Sequence, residues 1–279
     1  MQWKGRRGSS NVEDRRGKGG GALIGGGIGG VIILLVVTLL SGGNAGDVLS
    51  SLTSGVPESS APYQETQEEK ELAQFVSVVL ADTEEVWTEL FEKEGLVYEK
   101  PTLVLYTDSV QSACGTAGKA VGPFYCPGDS KLYIDLSFYD ELRQKFQAPG
   151  DFAMAYVIAH EVGHHVQHLM RITERQMSGS ADNQGSDGQS VRLELQADYF
   201  AGVWAHHAQD MSVLEEGDLE EALTAATAVG DDTLQKRAQG YAVPESFTHG
   251  TSEQRKRWFY KGFQNGTIAG GDTFKTKDL

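Results

Sequence analysis

Apolar residues recur at helical spacing over 67–94, where Leu72, Phe75, Val76, Val79, Leu80, Val86, Trp87, Leu90 and Phe91 form one stripe. That stripe predicts a helix lying on a core. Two short apolar runs follow, 102–106 and 131–136. Their length and β-branched and aromatic content predict strands. A short helix is expected over 137–146, and Pro149 and Gly150 break the chain before a longer one at about 151–171. After a polar stretch at 178–190, rich in Gly, Ser, Asp and Asn, helical patterns resume at about 190–210, 216–228, 231–239 and 251–264. The pattern describes an α+β protein, a small sheet on one side of a helical body, with no internal repeat.

The amino-terminal part reads differently. Residues 20–43 carry no charge, and the block 31–40 is strongly apolar. With its Gly-rich front this run reaches about the twenty residues needed to cross a bilayer. Ahead of it stand Lys4, Arg6, Arg7, Arg15, Arg16 and Lys18 against Glu13 and Asp14. The bias predicts a single-pass protein whose head, 1–19, is cytoplasmic and whose body is exported to the periplasmic or extracellular side. A cleaved signal peptide ending near Ala45 is the rival reading. Residues 44–66 then form a flexible linker, 67–265 the folded domain and 266–279 a frayed polar tail. The pairs Gly21/Gly25, Gly25/Gly29 and Gly26/Gly30 would allow weak dimerisation between such helices, although so Gly-rich a run produces the spacing by chance.

Chemistry enters at 158–168. His160, Glu161 and His164 make a His-Glu-x-x-His sequence inside an apolar helical pattern. Residues i and i+4 of a helix share a face, so both imidazoles can reach one zinc ion, with Glu161 beside them as general base. A catalytic zinc needs a third protein ligand. Glu194 supplies an oxygen from a second helical segment, and Asp198, one turn on, can orient a ligating histidine. His165 faces away from the pair, His168 is a candidate for supporting a ligand, and His206 and His207 have no assigned role.

These residues carry a resemblance. HEVGHHVQH (160–168) followed by RLELQADYFAG (192–202) resembles the gluzincin arrangement. With VGPFYCPGDSKLYIDLSFY (121–139), HGTSEQRKRWFYKGF (249–263) and SSNVEDRRG (9–17), the chain resembles a bacterial family of neutral zinc metallopeptidases along nearly its whole length. The resemblance implies a zincin-like, membrane-tethered domain with one catalytic zinc on His160, His164 and Glu194. Tyr199 departs from the Cys expected after the Asp in many relatives.

The remaining features refine this picture. Export would place Cys114 and Cys126 where a disulfide is plausible, with a free buried pair as the alternative. The edge around 121–125 is where a substrate strand would add. His249 leads the candidates for oxyanion stabilisation, ahead of Tyr241 and Tyr199. The chain's net charge is −15 and its basic residues beyond the head are scattered, which argues against nucleic acid as a partner. The expected partner is a peptide or protein substrate. An amidase acting on cell-wall peptide and a non-catalytic zinc-stabilised binding module are the competing functions.

Overall fold

The computed structural model describes residues 1–17, 63–177 and 185–279. Its strands are β1 (Val12–Asp14), β2 (Thr102–Tyr106), β3 (Ser109–Ser112), β4 (Gly115–Gly118), β5 (Phe124–Cys126) and β6 (Lys131–Asp135). The helices are α1 (Gln67–Lys93), α2 (Phe138–Gln144), α3 (Asp151–Leu169), α4 (Ile172–Met177), α5 (Gln189–Asp210), α6 (Asp218–Ala228), α7 (Asp231–Gln239) and α8 (Ser252–Asn265). One sheet has the order β1-β2-β6-β5. Its first three strands are parallel, and β5 is antiparallel to β6 at the edge. A separate hairpin pairs β3 with β4. The α+β expectation, a small sheet beside a helical body, describes this arrangement.

Helix α3 runs through the core, with Phe152 to Gly163 buried without a break. Its first turn has no side-chain cap from Gly150 (φ 110°). Instead Glu221, on α6, accepts from the Phe152 N–H at 3.0 Å. Helices α3 and α5 cross closely where Gly163 meets Ala197; a Cβ at Gly163 would stand 2.8 Å from the Ala197 oxygen. Glycines also set the crossing of α5 with α8. A Cβ at Gly202 would fall 2.0 Å from the Phe259 oxygen, and one at Gly262 equally close to the Tyr199 oxygen. These contacts bring the three helices that build the site to backbone distance.

Both chain ends depart from expectation. The head is not a separate element. Strand β1 pairs with β2, Val12 opposite Leu103, and so extends the main sheet. Arg6 donates to Asp82 at 2.8 Å, and Ser9 and Asn11 donate to Glu84 at 2.6 and 2.8 Å. Asp82 and Glu84 are buried on α1, so the basic and polar residues of the head are partners for buried carboxylates. An unpaired buried charge is costly, which ties the head to the body. The tail is not frayed either. Arg192 donates to the carbonyls of Thr273 and Thr276, Gln196 donates to the Gly271 carbonyl at 2.7 Å, and Leu279 is buried. The expected membrane span at 20–43 and most of the linker lie outside the described residues. Among the described residues no helix is long and apolar enough to cross a membrane.

The head contact gives a stability prediction. Asn11→Ala removes one donor from the buried Glu84 carboxylate and is expected to cost roughly 1.5–3 kcal/mol. Urea unfolding of the full chain would measure it; an unchanged midpoint would mean the head does not support the body.

Candidate metal centre

His160 and His164 lie one turn apart on α3, and Glu194 meets them from α5. Glu194 Oε2 is 3.2 Å from His160 Nε2, and Glu194 Oε1 is 3.4 Å from His164 Nε2. One ligand atom from each of the three residues lies within 4.8 Å of the others. The opposite nitrogens are held from behind. His160 Nδ1 is 2.8 Å from Asp198 Oδ1, and His164 Nδ1 is 2.9 Å from Gln167 Oε1. Two imidazoles oriented through Nδ1, with Nε2 turned toward a carboxylate, are a donor set that fits zinc.

Asp198 is fully buried and forms the hub behind the centre. Arg255, from α8, donates Nε to Oδ2 at 2.8 Å and Nη2 to Oδ1 at 3.0 Å. The Tyr156 hydroxyl donates to Oδ1 at 2.5 Å. Arg255 stands beside Lys256 and Arg257 in the chain, yet the structure buries it. Gln167 was also missed, and it occupies the supporting place considered for His168. His168 instead lies 4.0 Å from Glu174 and against the Tyr125 ring.

The charges around the centre follow from this packing. Burial disfavours charge on His160, but Asp198 and Glu194 outweigh it and raise its pKa to about 10. Burial would raise the Glu194 carboxyl, but His164 and His249 hold it well below the usual range. Asp198 is likewise lowered, with Arg255 and His160 overcoming burial. The Nε2 side of the cluster is therefore arranged to stabilise positive charge, which a divalent cation would supply. Glu161 differs. Burial pushes its carboxyl up, against the opposing pull of His164 and His160. That upward shift moves it in the direction a general base at neutral pH requires. The main chain of Tyr125, on edge strand β5, lies close enough to Glu161 to pull its pKa down.

His249 lies close enough to Glu194 for each to shift the other's pKa. Its Nδ1 lies 3.3 Å from Asp231 Oδ1, and Asp231 Oδ2 accepts from the main-chain N–H groups of Thr248, His249 and Gly250. Asp231, a residue that the sequence reading did not single out, thus fixes the loop that carries His249. The other oxyanion candidates are not brought here by any described contact. Tyr199 is buried and donates to the Thr267 carbonyl at 2.8 Å, and Tyr241 is exposed. His206 and His207 bond the carbonyls of Phe263 and Gly266. Cys114 and Cys126 form a disulfide with a Cα–Cα distance of 5.8 Å, which ties the hairpin to β5.

His165 faces away from the ligands. Its Nε2 donates to the Glu99 carbonyl at 2.6 Å, and its Nδ1 accepts from the Tyr125 hydroxyl at 3.0 Å. Burial lowers its pKa from 6.5 to about 4. The unfolded chain therefore binds about one more proton than the folded one between those values, and stability must fall as pH drops through the window. Urea midpoints of the full chain from pH 7 to 4 should show this slope, and His165→Gln should flatten it. An equally steep slope in the variant would assign the acid lability elsewhere.

Two imidazoles and a carboxylate that converge closely enough to hold one metal ion, with a second buried carboxylate beside them, are the arrangement found in metal-dependent hydrolases. The chain belongs to the family described as "Putative neutral zinc metallopeptidase", whose family model matches residues 1–274. It is 51% identical to the uncharacterized protein YpfJ of Escherichia coli (strain K12), over 98% of this chain and 99% of that one. It is 42% identical to an uncharacterized protein of Mycobacterium tuberculosis (strain H37Rv), over 65% of each chain. No solved structure matches it. The family supports zinc as the metal and a peptidase in the broad sense.

Proposed function

We propose that this chain is a zinc-dependent endopeptidase with Glu161 as its general base. The observation that carries the reading is the convergence of three protein ligands, His160, His164 and Glu194, beside a buried carboxylate that is not one of them. Three ligands rather than four is the pattern of a catalytic zinc site. Zinc held there would acidify a water and polarise the scissile carbonyl. Glu161 takes the proton from the attacking water and passes it to the leaving amine. His249, kept in place by Asp231, donates to the oxyanion. Among the described residues no strand pairs with the outer side of β5, and a substrate strand pairing there would lie alongside Glu161.

The full chain should be purified and assayed for zinc content, and for cleavage of casein and of isolated peptidoglycan. One zinc per chain, casein cleavage lost to a chelator and restored by zinc supports the proposal. Peptidoglycan hydrolysis without casein cleavage replaces it with the cell-wall amidase. Bound zinc without either activity favours a binding module.

A further inference from the structure

We infer that His164 is locked in its metal-binding tautomer by two main-chain carbonyls, acting through the buried amides of Gln167 and Gln196. The inference rests on the reading of His160, His164 and Glu194 as ligands. Gln167 is 0% exposed and Gln196 4%, so water does not decide which way their amides point. A peptide carbonyl only accepts hydrogen bonds. The Leu193 oxygen lies 2.7 Å from one end of the Gln167 amide, so that end is the nitrogen. The Gln167 oxygen must then face His164. The His164 Nδ1, 2.9 Å from it, must carry the ring proton. In the neutral ring Nε2, on the Glu194 side, is then the nitrogen that keeps the free lone pair, which is what metal ligation requires.

Gln196 closes the circuit in the same way. Its nitrogen lies 2.7 Å from the Gly271 oxygen, again a pure acceptor. Its oxygen therefore faces Gln167 and takes that amide's second proton at 3.1 Å. Turning either amide over would set acceptor against acceptor in a dry interior. Gly271 belongs to the carboxy-terminal segment fastened to α5 through Thr273, whose hydroxyl donates to the Arg192 carbonyl at 2.7 Å. A carbonyl more than one hundred residues downstream of His164 thus helps set which of its nitrogens is free. Gln167 and Gln196 are positioning residues, and neither touches substrate in this reading.

The test measures zinc dissociation constants of the full chain by competition with a chromophoric chelator, and the absorption spectrum of the cobalt-substituted protein. Gln167→Leu removes the acceptor behind His164. It should weaken zinc binding by roughly 10–100-fold and alter the cobalt spectrum. Gln167→Glu keeps an acceptor at Nδ1 but loses the donors to Leu193 and Gln196. It should hold zinc close to the wild-type level, although its metal-free form is less stable. Should Gln167→Leu not fold, Gln196→Met removes only the outer amide and should still cost several-fold in affinity. Wild-type affinity and spectrum in Gln167→Leu, equal losses in the Leu and Glu variants, or no loss in Gln196→Met would each overturn the relay, leaving the amides as a stitch between α3 and α5. No zinc in the wild type would instead defeat the ligand assignment on which the relay rests.

Discussion

Replacing Glu161 with Gln is expected to lower peptide cleavage by about 10²–10⁴-fold while one zinc per chain is retained. The substitution changes one oxygen for an NH2 and leaves the volume of the side chain almost unaltered. It removes the ability to accept a proton, which the proposed mechanism asks of no other residue. The amide oxygen still offers an acceptor toward the Tyr125 main chain, so β5 should stay in place. Glu161 is not among the three ligands, so metal content should not move. Single-turnover cleavage and metal analysis on the same samples check both halves. Cleavage at the wild-type rate would remove Glu161 from the mechanism, and loss of zinc would make it part of the metal's environment instead.

Arg255→Leu is expected to be among the most destabilising single changes in the body, at about 3–5 kcal/mol. Asp198 has no exposure, and its guanidinium partner contacts both of its oxygens. Removing that partner leaves a carboxylate in the interior with only His160 and Tyr156 beside it. Arg255→Lys should recover little, because a single ammonium cannot reproduce the two-pronged contact. Pairing Arg255→Leu with Asp198→Asn should cost less than Arg255→Leu alone, since the stranded charge is then gone. Urea unfolding of the metal-free full chain gives all three values. A double variant no more stable than Arg255→Leu alone would show that Arg255 acts through packing rather than through Asp198. Zinc affinity should fall as well, because Asp198 is what orients His160.

Which parts of this site could be read from the chain depended on sequence distance. His160, Glu161 and His164 were legible because four-residue spacing within one helix is a local property. Glu194 and Asp198 were legible for the same reason, as a second pair at helical spacing. Their supports were not. Arg255 carries no local sign of burial, since it stands beside Lys256 and Arg257, and only the glycine-mediated approach of α8 to α5 brings it inside. Gln167 sits in a run dominated by histidines, and its role depends on a carbonyl of α5 and on a residue at 271. The helix boundaries came close because caps and apolar periodicity mark them, as at the Thr66 and Thr251 capping boxes. The two ends misled for one reason. Charge and polarity describe a free segment as well as one whose charges are spent on buried partners such as Asp82 and Glu84.

The placement of β1 has a consequence for how the protein can meet a bilayer. Strands exchange main-chain hydrogen bonds only within one compartment, and Val12 to Asp14 are bonded along Leu103 to Leu105. In this fold residues 1–17 and the metal centre therefore belong to one body. A single crossing, which the charge pattern alone favours, would require β1 to leave this sheet. Cysteines placed at the exposed Lys4 and Lys256 of the full chain should accordingly react with an impermeant thiol reagent from the same face of sealed vesicles. Labelling from opposite faces would mean that β1 leaves the sheet when the protein is inserted.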